Sequence, residues 1–161
     1  MKRYKKTSGS KSTVNDAEVA YVKKQNVDVT PEVLLSISEG HLTEPLQRVF
    51  AFRKGFKKKS FDKLKEYSGL DNNTLAIALA VSAKTIQRVQ TFDIVQSEKL
   101  YQLATLYAMG LSYFGKEGFS RWMERPLFTL GNRKPIELID VSEGLELVKA
   151  EIIRLQHGVG L

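Results

Sequence analysis

A chain of 161 residues with an apolar fraction of 42% is long enough to bury one hydrophobic core, or two small cores that pack closely. No run approaches the roughly 20 apolar residues of a membrane span. The N-terminus shows no apolar signal segment, so we expect a cytoplasmic protein. The absence of cysteine excludes disulfides, thiol catalysis and thiolate metal sites.

The formal net charge of +7 is concentrated in two stretches. Residues 1–30 hold seven Lys and Arg against three acids, and residues 53–65 hold seven against Asp62. Clustered positive charge suits a polyanionic partner, because neutralising phosphates releases condensed counterions. The same pattern also fits a solvated surface with a soluble tail, so charge alone leaves both interpretations open.

The first 30 residues predict a disordered basic tail, because a mixture of Lys, Ser, Thr, Gly and Asn buries too little apolar surface to offset its ordering entropy. Pro31 then predicts the start of a short helix over residues 32–38. A second helix is expected to begin near Pro45 and to carry the apolar segment 46–52.

Residues 60–91 predict three short helices. The first helix is expected to be capped by Ser60 and to end at Gly69 in the left-handed conformation. Asn72 or Asn73 is expected to cap the second helix. Short helices joined by a tight turn, with small side chains where they approach each other, are typical of a helix-turn-helix.

The third helix, over residues 82–91, is the predicted recognition helix, with Ser82 as its cap. Ile86 and Val89 are expected to point inward and to leave a polar face exposed. The predicted DNA contacts on that face are Ser82, Ala83, Lys84, Gln87 and Arg88.

The polar side chains of this helix can bind base edges and phosphates of DNA. Gln87 can pair with adenine, and Arg88 or Lys84 can contact guanine or a phosphate. Ser82 suits a phosphate at the helix N-terminus. The alternative is a packed helical hairpin whose polar face meets only water.

A long helix is predicted over residues 97–113, with Ser97 as its cap and Gly115 just beyond its end. Its apolar stripe is wider than about 100°, so this helix is expected to pack on two sides and to join the two halves of the protein.

Residues 122–148 contain regularly spaced anchors without catalytic chemistry. Leu127, Phe128 and Leu130 indicate a loop folded down onto the core, and Gly131-Asn132 indicates a turn. A short helix is expected to follow at Pro135.

The last helix is predicted over residues 143–156, capped by Asp140 or Ser142. Leu147 and Ile153 lie beside its main apolar stripe. They belong either to a broad buried face or to a surface for a partner.

Catalytic patterns do not emerge from the sequence. His41 and His157 lie in unrelated contexts, so no metal pair is suggested. The chain has no Gly-rich phosphate loop and no nucleophile elbow. We therefore expect a protein that is not an enzyme and that needs neither metal nor cofactor.

Two sets of residues together carry a family resemblance. The helix-turn-helix set is Leu75, Ala76, Ala80, Ser82 and Ile86, and the C-terminal set is Trp122, Met123, Pro126, Leu130, Gly131, Pro135, Leu138, Gly144 and Val148. In this order they resemble the Xre/MbcA/ParS antitoxins, from about Phe56 to Leu161. The departures are Ala80 and Asn132, where glycine is frequent, and Val141, where threonine is common.

The resemblance implies an all-α fold: an Xre/Cro-like helix-turn-helix domain (31–96) packed on a small helical C-terminal toxin-binding domain (97–161). It also implies an antitoxin of a type II toxin–antitoxin system whose partner is a RES-domain enzyme that consumes NAD. The antitoxin would cover the active site of that toxin and, as a homodimer on operator DNA, repress its own operon. The implied toxin contacts are Leu147, Glu151, Arg154, His157, Gly158, Val159, Gly160 and Leu161.

Two other functions stay open. The chain could be a stand-alone helix-turn-helix transcriptional regulator without a toxin partner, or an interaction module whose DNA-binding half has decayed. A twofold dimer is favoured because paired recognition helices match half-sites about 34 Å apart. The helix 97–113 and the segment 46–52 both qualify as the dimer surface.

Overall fold

The computed structural model describes residues 29–158. Within that range the fold is all-α, as predicted, and two isolated bridges are the only β-type pairings. The helices are α1 (Pro31–Leu35), α2 (Pro45–Lys54), α3 (Lys58–Ser68), α4 (Asn72–Ala78), α5 (Ala83–Arg88), α6 (Ile94–Met123) and α7 (Ser142–Gln156), with short 3-10 helices at Phe128–Leu130 and Pro135–Leu138. The predicted disordered tail lies outside the described residues, apart from its last two positions.

Helix α6 is the central element of the fold. It packs against α1, α2 and α3, and also against α7 and the Pro135–Leu138 3-10 helix. The prediction of a long helix that contacts both halves is therefore confirmed. Because α6 runs without interruption through residues 96 and 97, the proposed domain boundary falls inside a helix, and the division into 31–96 and 97–161 stays a prediction.

Gly115 divides α6 into two parts, since its φ of +70° and ψ of 172° are not helical. This break brings the ring of Phe119 against Gly110, where any Cβ would collide with the ring. Trp122 stacks on Phe114 and Phe119, with ring centroids 5.1 and 5.8 Å apart. The aromatic residues of α6 therefore build the core of the C-terminal half.

Two predicted caps in the N-terminal half are wrong. Helix α3 begins two residues before Ser60, which lies buried inside the helix. Helix α4 is capped by Asp71, whose Oδ1 accepts a hydrogen bond from the backbone N–H of Thr74 at 2.7 Å. The carboxylate of Asp71 takes the role expected of Asn72 or Asn73, because it lies at the position from which it reaches the first free N–H groups. Gly69 ends α3 in the left-handed conformation, as predicted.

Ser97 is also not a cap. Helix α6 starts earlier, at a capping box formed by Asp93 and Gln96. Ser97 is fully buried instead, where its Oγ accepts a hydrogen bond from the backbone N–H of Phe56 at 2.9 Å and donates to the carbonyl of Phe92. The hydroxyl thus ties the distant segment at Phe56 to the start of α6.

The start of α7 differs from the prediction as well. The helix begins at Ser142, and neither Asp140 nor Ser142 caps it, because the N-cap position is held by Val141 without a side-chain bond. Gly144 lies in the first turn, where a Cβ would collide with the carbonyl oxygen of Leu138. Close contact with the preceding 3-10 helix therefore determines where α7 begins.

Candidate DNA-binding and partner-binding surfaces

Helices α4 and α5 pack on each other through a tight turn. Ala76 is buried at the contact, and the backbone N–H of Val81 donates to its carbonyl at 2.9 Å. Ala80 occupies the turn with a φ of +53°, a left-handed conformation that alanine adopts at a cost. The strain expected at the position where related turns place glycine is therefore present in the structure.

Ala80→Gly is expected to raise the free energy of unfolding by about 0.5 kcal/mol. Glycine relieves roughly 1 kcal/mol of left-handed strain and loses part of that gain to the greater entropy of the unfolded chain. Urea unfolding of both proteins measures the difference. The matched control is Ala150→Gly, at an exposed position inside α7, which is expected to lose about 1 kcal/mol. Equal losses in the two variants would show that the turn is unstrained.

Helix α5, the predicted recognition helix, is shorter than expected. Ser82 caps it, as expected, by accepting a hydrogen bond from the N–H of Thr85 at 3.0 Å. The helix ends at Arg88 rather than near residue 91, because Val89 is extended and the following residues pair with another segment. The prediction that Ile86 points inward is confirmed by its burial.

The structure exposes most of the predicted DNA contacts together. Ser82, Lys84, Gln87 and Arg88 are exposed on α5, and Ala83 is half-buried. Val89 is only partly buried against the core. Four of the five predicted residues are therefore available to a ligand. Ala83 exposes only part of its small side chain.

A basic segment lies beside the end of α5. The backbone N–H of Lys58 donates to Gln90, and that of Phe92 donates to Phe56, so residues 56–58 run alongside 90–92. The Lys57 ammonium also donates to the hydroxyl of Thr91 at 3.0 Å. The approach is close enough that a Cβ on Gly55 would collide with the carbonyl oxygen of Phe92.

This pairing brings the positive run 53–59 next to the end of α5. Lys57 and Lys59 are exposed. Lys58 is occupied by its own helix, since its ammonium bonds Asp62 at 2.8 Å and lies 4.0 Å from the centre of the Phe61 ring. The sequence shows the charge run but contains no signal for its neighbour, because the paired residues are 34 positions apart.

The C-terminal helix α7 buries one face and exposes another. Leu145, Val148 and Ile152 lie in the core. Leu147 and Ile153 are 49% and 43% exposed. Of the two interpretations of these residues, the structure excludes a broad buried face and leaves a surface that a partner can cover.

Glu151 is placed differently from the other predicted partner contacts. It is only 8% exposed, and its carboxylate accepts hydrogen bonds from Arg154 at 2.6 and 3.0 Å. The Arg154 bond, assisted by a further bond from the Thr129 hydroxyl, holds the pKa of Glu151 below its usual range. Glu151 therefore organises this surface from within the chain and offers little area to a partner.

Helix α7 ends at Gln156, and the two residues that follow it reach the surface. His157 and Gly158 are exposed, and Gly158 has a φ of +68°. The hydroxyl of Tyr113 donates to the carbonyl of Leu155 at 3.1 Å and so connects this end of α7 to α6. The predicted contacts Val159, Gly160 and Leu161 lie outside the described residues.

Phe128 does not pack onto the core, contrary to the prediction. Leu127 is buried in the core instead. Phe128 begins the turn that follows and points outward, where it is 80% exposed. Leu130 is partly buried. The turn itself is confirmed, since Gly131 and Asn132 both have a positive φ.

Residues 29–158 contain no candidate metal site and no candidate membrane span. No group of three or more His, Asp or Glu residues in this part of the chain could hold a metal ion. No helix there is long and apolar enough to cross a membrane.

Comparison with known proteins identifies both halves. Residues 47–104 match the antitoxin Xre-like helix-turn-helix domain, and residues 110–158 match the antitoxin Xre/MbcA/ParS C-terminal toxin-binding domain. A curated relative, "Antitoxin Xre" of Pseudomonas putida, is 26% identical over 86 residues, which cover 53% of this chain and 54% of the relative. The chain thus aligns with about half the length of that relative. With a helix-turn-helix followed by a toxin-binding domain, this chain belongs to the Xre/MbcA/ParS family of antitoxins.

Proposed function

We propose that this antitoxin neutralises a RES-domain toxin that consumes NAD, by covering the toxin active site with α7 and the tail that follows it. The observation that carries the proposal is the exposure of two apolar side chains of α7, Leu147 and Ile153, within the stretch that matches a toxin-binding domain. The chain would act by binding rather than by catalysis.

The arrangement around α7 supports this role. Leu147 and Arg154 lie four residues before and three residues after Glu151, so all three share one side of the helix. Hydrogen bonds from Arg154 fix the Glu151 side chain, and the 3-10 helix Phe128–Leu130 packs against α7, so that this side of the helix is in place before a partner arrives. A preorganised surface loses less conformational entropy on binding, which favours a tight complex.

We also propose that the protein binds operator DNA as a homodimer and represses its own operon. The exposed side chains of α5 would read base edges, while Lys57 and Lys59 would contact phosphates beside them. Paired helices in a dimer would match two half-sites about 34 Å apart.

Co-expression tests the toxin-binding proposal. We expect the adjacent gene to encode a RES-domain enzyme and the full chain to restore growth to cells that produce that enzyme. A variant that lacks residues 157–161 is expected to form the complex but to inhibit less, because these residues would occupy a cleft that the helix itself cannot reach. NAD levels and co-purification distinguish inhibition from binding.

Three outcomes would count against parts of this proposal. Failure of the full chain to restore growth, although it is produced and folded, would contradict the antitoxin role of this chain. Operator binding without such rescue would favour the stand-alone regulator. Full inhibition by the variant without residues 157–161 would remove the tail from the mechanism.

A further inference from the structure

We infer that Phe128 is an anchor of the toxin interface, inserting its ring into an apolar pocket of the toxin. The inference rests on the proposed function, since it deepens the description of the surface around α7. It adds to that surface a residue on a different chain segment.

The first observation is the exposure of the Phe128 ring. With 80% of its surface accessible, it is the most exposed of the large apolar residues in the described part of the chain. Water contact with an aromatic ring is unfavourable, and a ring that becomes buried in a partner contributes strongly to affinity. Phe128 also lies within residues 110–158, the stretch that matches a toxin-binding domain.

The second observation is that the ring is carried by a rigid turn. Backbone hydrogen bonds close the segment 127–133 on itself, including Asn132 N–H to the Leu127 carbonyl at 2.9 Å and Gly131 N–H to the Phe128 carbonyl at 3.0 Å. A further bond joins Leu127 to Arg133 at 3.0 Å. Few backbone degrees of freedom would be lost on binding, which is the condition under which an exposed aromatic becomes an anchor.

The third observation is the position of the turn beside α7. The 3-10 helix Phe128–Leu130 contacts α7, and its Thr129 lies close enough to the Glu151 carboxylate to help lower the pKa of that group. Glu151 lies between Leu147 and Arg154 on the proposed toxin-binding face. A partner that covers this face therefore meets the turn as well, which makes the toxin the occupant expected for Phe128.

The test measures binding of the full chain to the purified toxin, the RES-domain enzyme that we expect the adjacent gene to encode, by titration calorimetry. Phe128→Ala is expected to weaken the complex by roughly 10- to 100-fold, as for truncation of an aromatic hot spot. Its unfolding midpoint is expected to stay unchanged, because the ring makes little contact within the chain. Phe128→Leu is expected to retain part of the affinity, since an apolar side chain can still enter the pocket.

The matched control is Phe50→Ala, which removes another exposed phenylalanine, 57% accessible on α2 and outside the toxin-binding stretch. It is expected to leave toxin affinity unchanged. Equal affinities of wild type and Phe128→Ala, with weakened binding by Leu147→Asp, would overturn the role of Phe128 and leave the proposed function intact. If the wild-type protein itself does not bind the toxin, the proposed function fails together with this inference.

Discussion

A variant carrying Lys84→Ala, Gln87→Ala and Arg88→Ala is expected to bind its operator at least about 100-fold more weakly than the wild-type protein. Each side chain that reads a base edge contributes about 1–3 kcal/mol of discrimination, and the three lie exposed on one short helix. Titration of labelled operator DNA at constant salt measures the loss. The fold is expected to survive, because none of the three side chains is buried.

A variant with two substitutions in the basic segment distinguishes contacts to base edges from contacts to phosphates. Lys57→Gln with Lys59→Gln is expected to weaken binding to operator and unrelated DNA alike, and to reduce the salt dependence of binding by about two counterion units. The control is Lys116→Gln with Arg121→Gln, which removes two exposed charges from α6. Retained operator affinity in the triple variant would contradict the assignment of α5 as the recognition helix.

Gly144→Ala is expected to lower the free energy of unfolding by about 3 kcal/mol, at the upper end of the range for overpacked sites. A Cβ at this position meets the backbone carbonyl of Leu138, which cannot rotate away as a flexible side chain could. The first turn of α7 would have to shift, so toxin binding is expected to weaken as well. Chemical denaturation and toxin titration measure the two effects.

The sign of the stability change on Gly144→Ala distinguishes the close contact with Leu138 from helix propensity, because alanine is the better helix former. In an uncrowded helix interior Gly→Ala stabilises by up to about 1 kcal/mol. Glu143→Ala changes the adjacent exposed residue in the same turn and is expected to alter stability by no more than about 0.5 kcal/mol. A gain in stability on Gly144→Ala would show that α7 does not depend on this close contact.

Local chemistry explains which features of the fold could be predicted. Gly69 and Gly131 adopt the left-handed conformation expected at a helix end and a turn, since the preference of glycine for positive φ needs no partner. Ser82 caps α5 as predicted. The hydrophobic periodicity of α6 indicated contacts on two sides, and the helix makes them.

Helix starts were harder to predict, because several neighbouring residues can cap equally well in isolation. Asp93 rather than Ser97 begins α6, and Asp71 rather than an asparagine begins α4. Ser97 is withdrawn from the surface by its bonds to Phe56 and Phe92, which are made only in the folded protein. Tertiary contacts therefore select among caps that are locally equivalent.

By itself, the sequence determined the helical class and the helix-turn-helix, because these depend on periodicity and on spacing along the chain. It also carried the residues by which the chain resembles the antitoxin family. Only the tertiary structure decided which surfaces these elements present. It brought the basic run beside α5 through pairing across 34 positions, withdrew Glu151 from the surface and turned Phe128 outward. Exposure depends on what packs against a residue from distant parts of the chain, and a linear pattern does not contain that information.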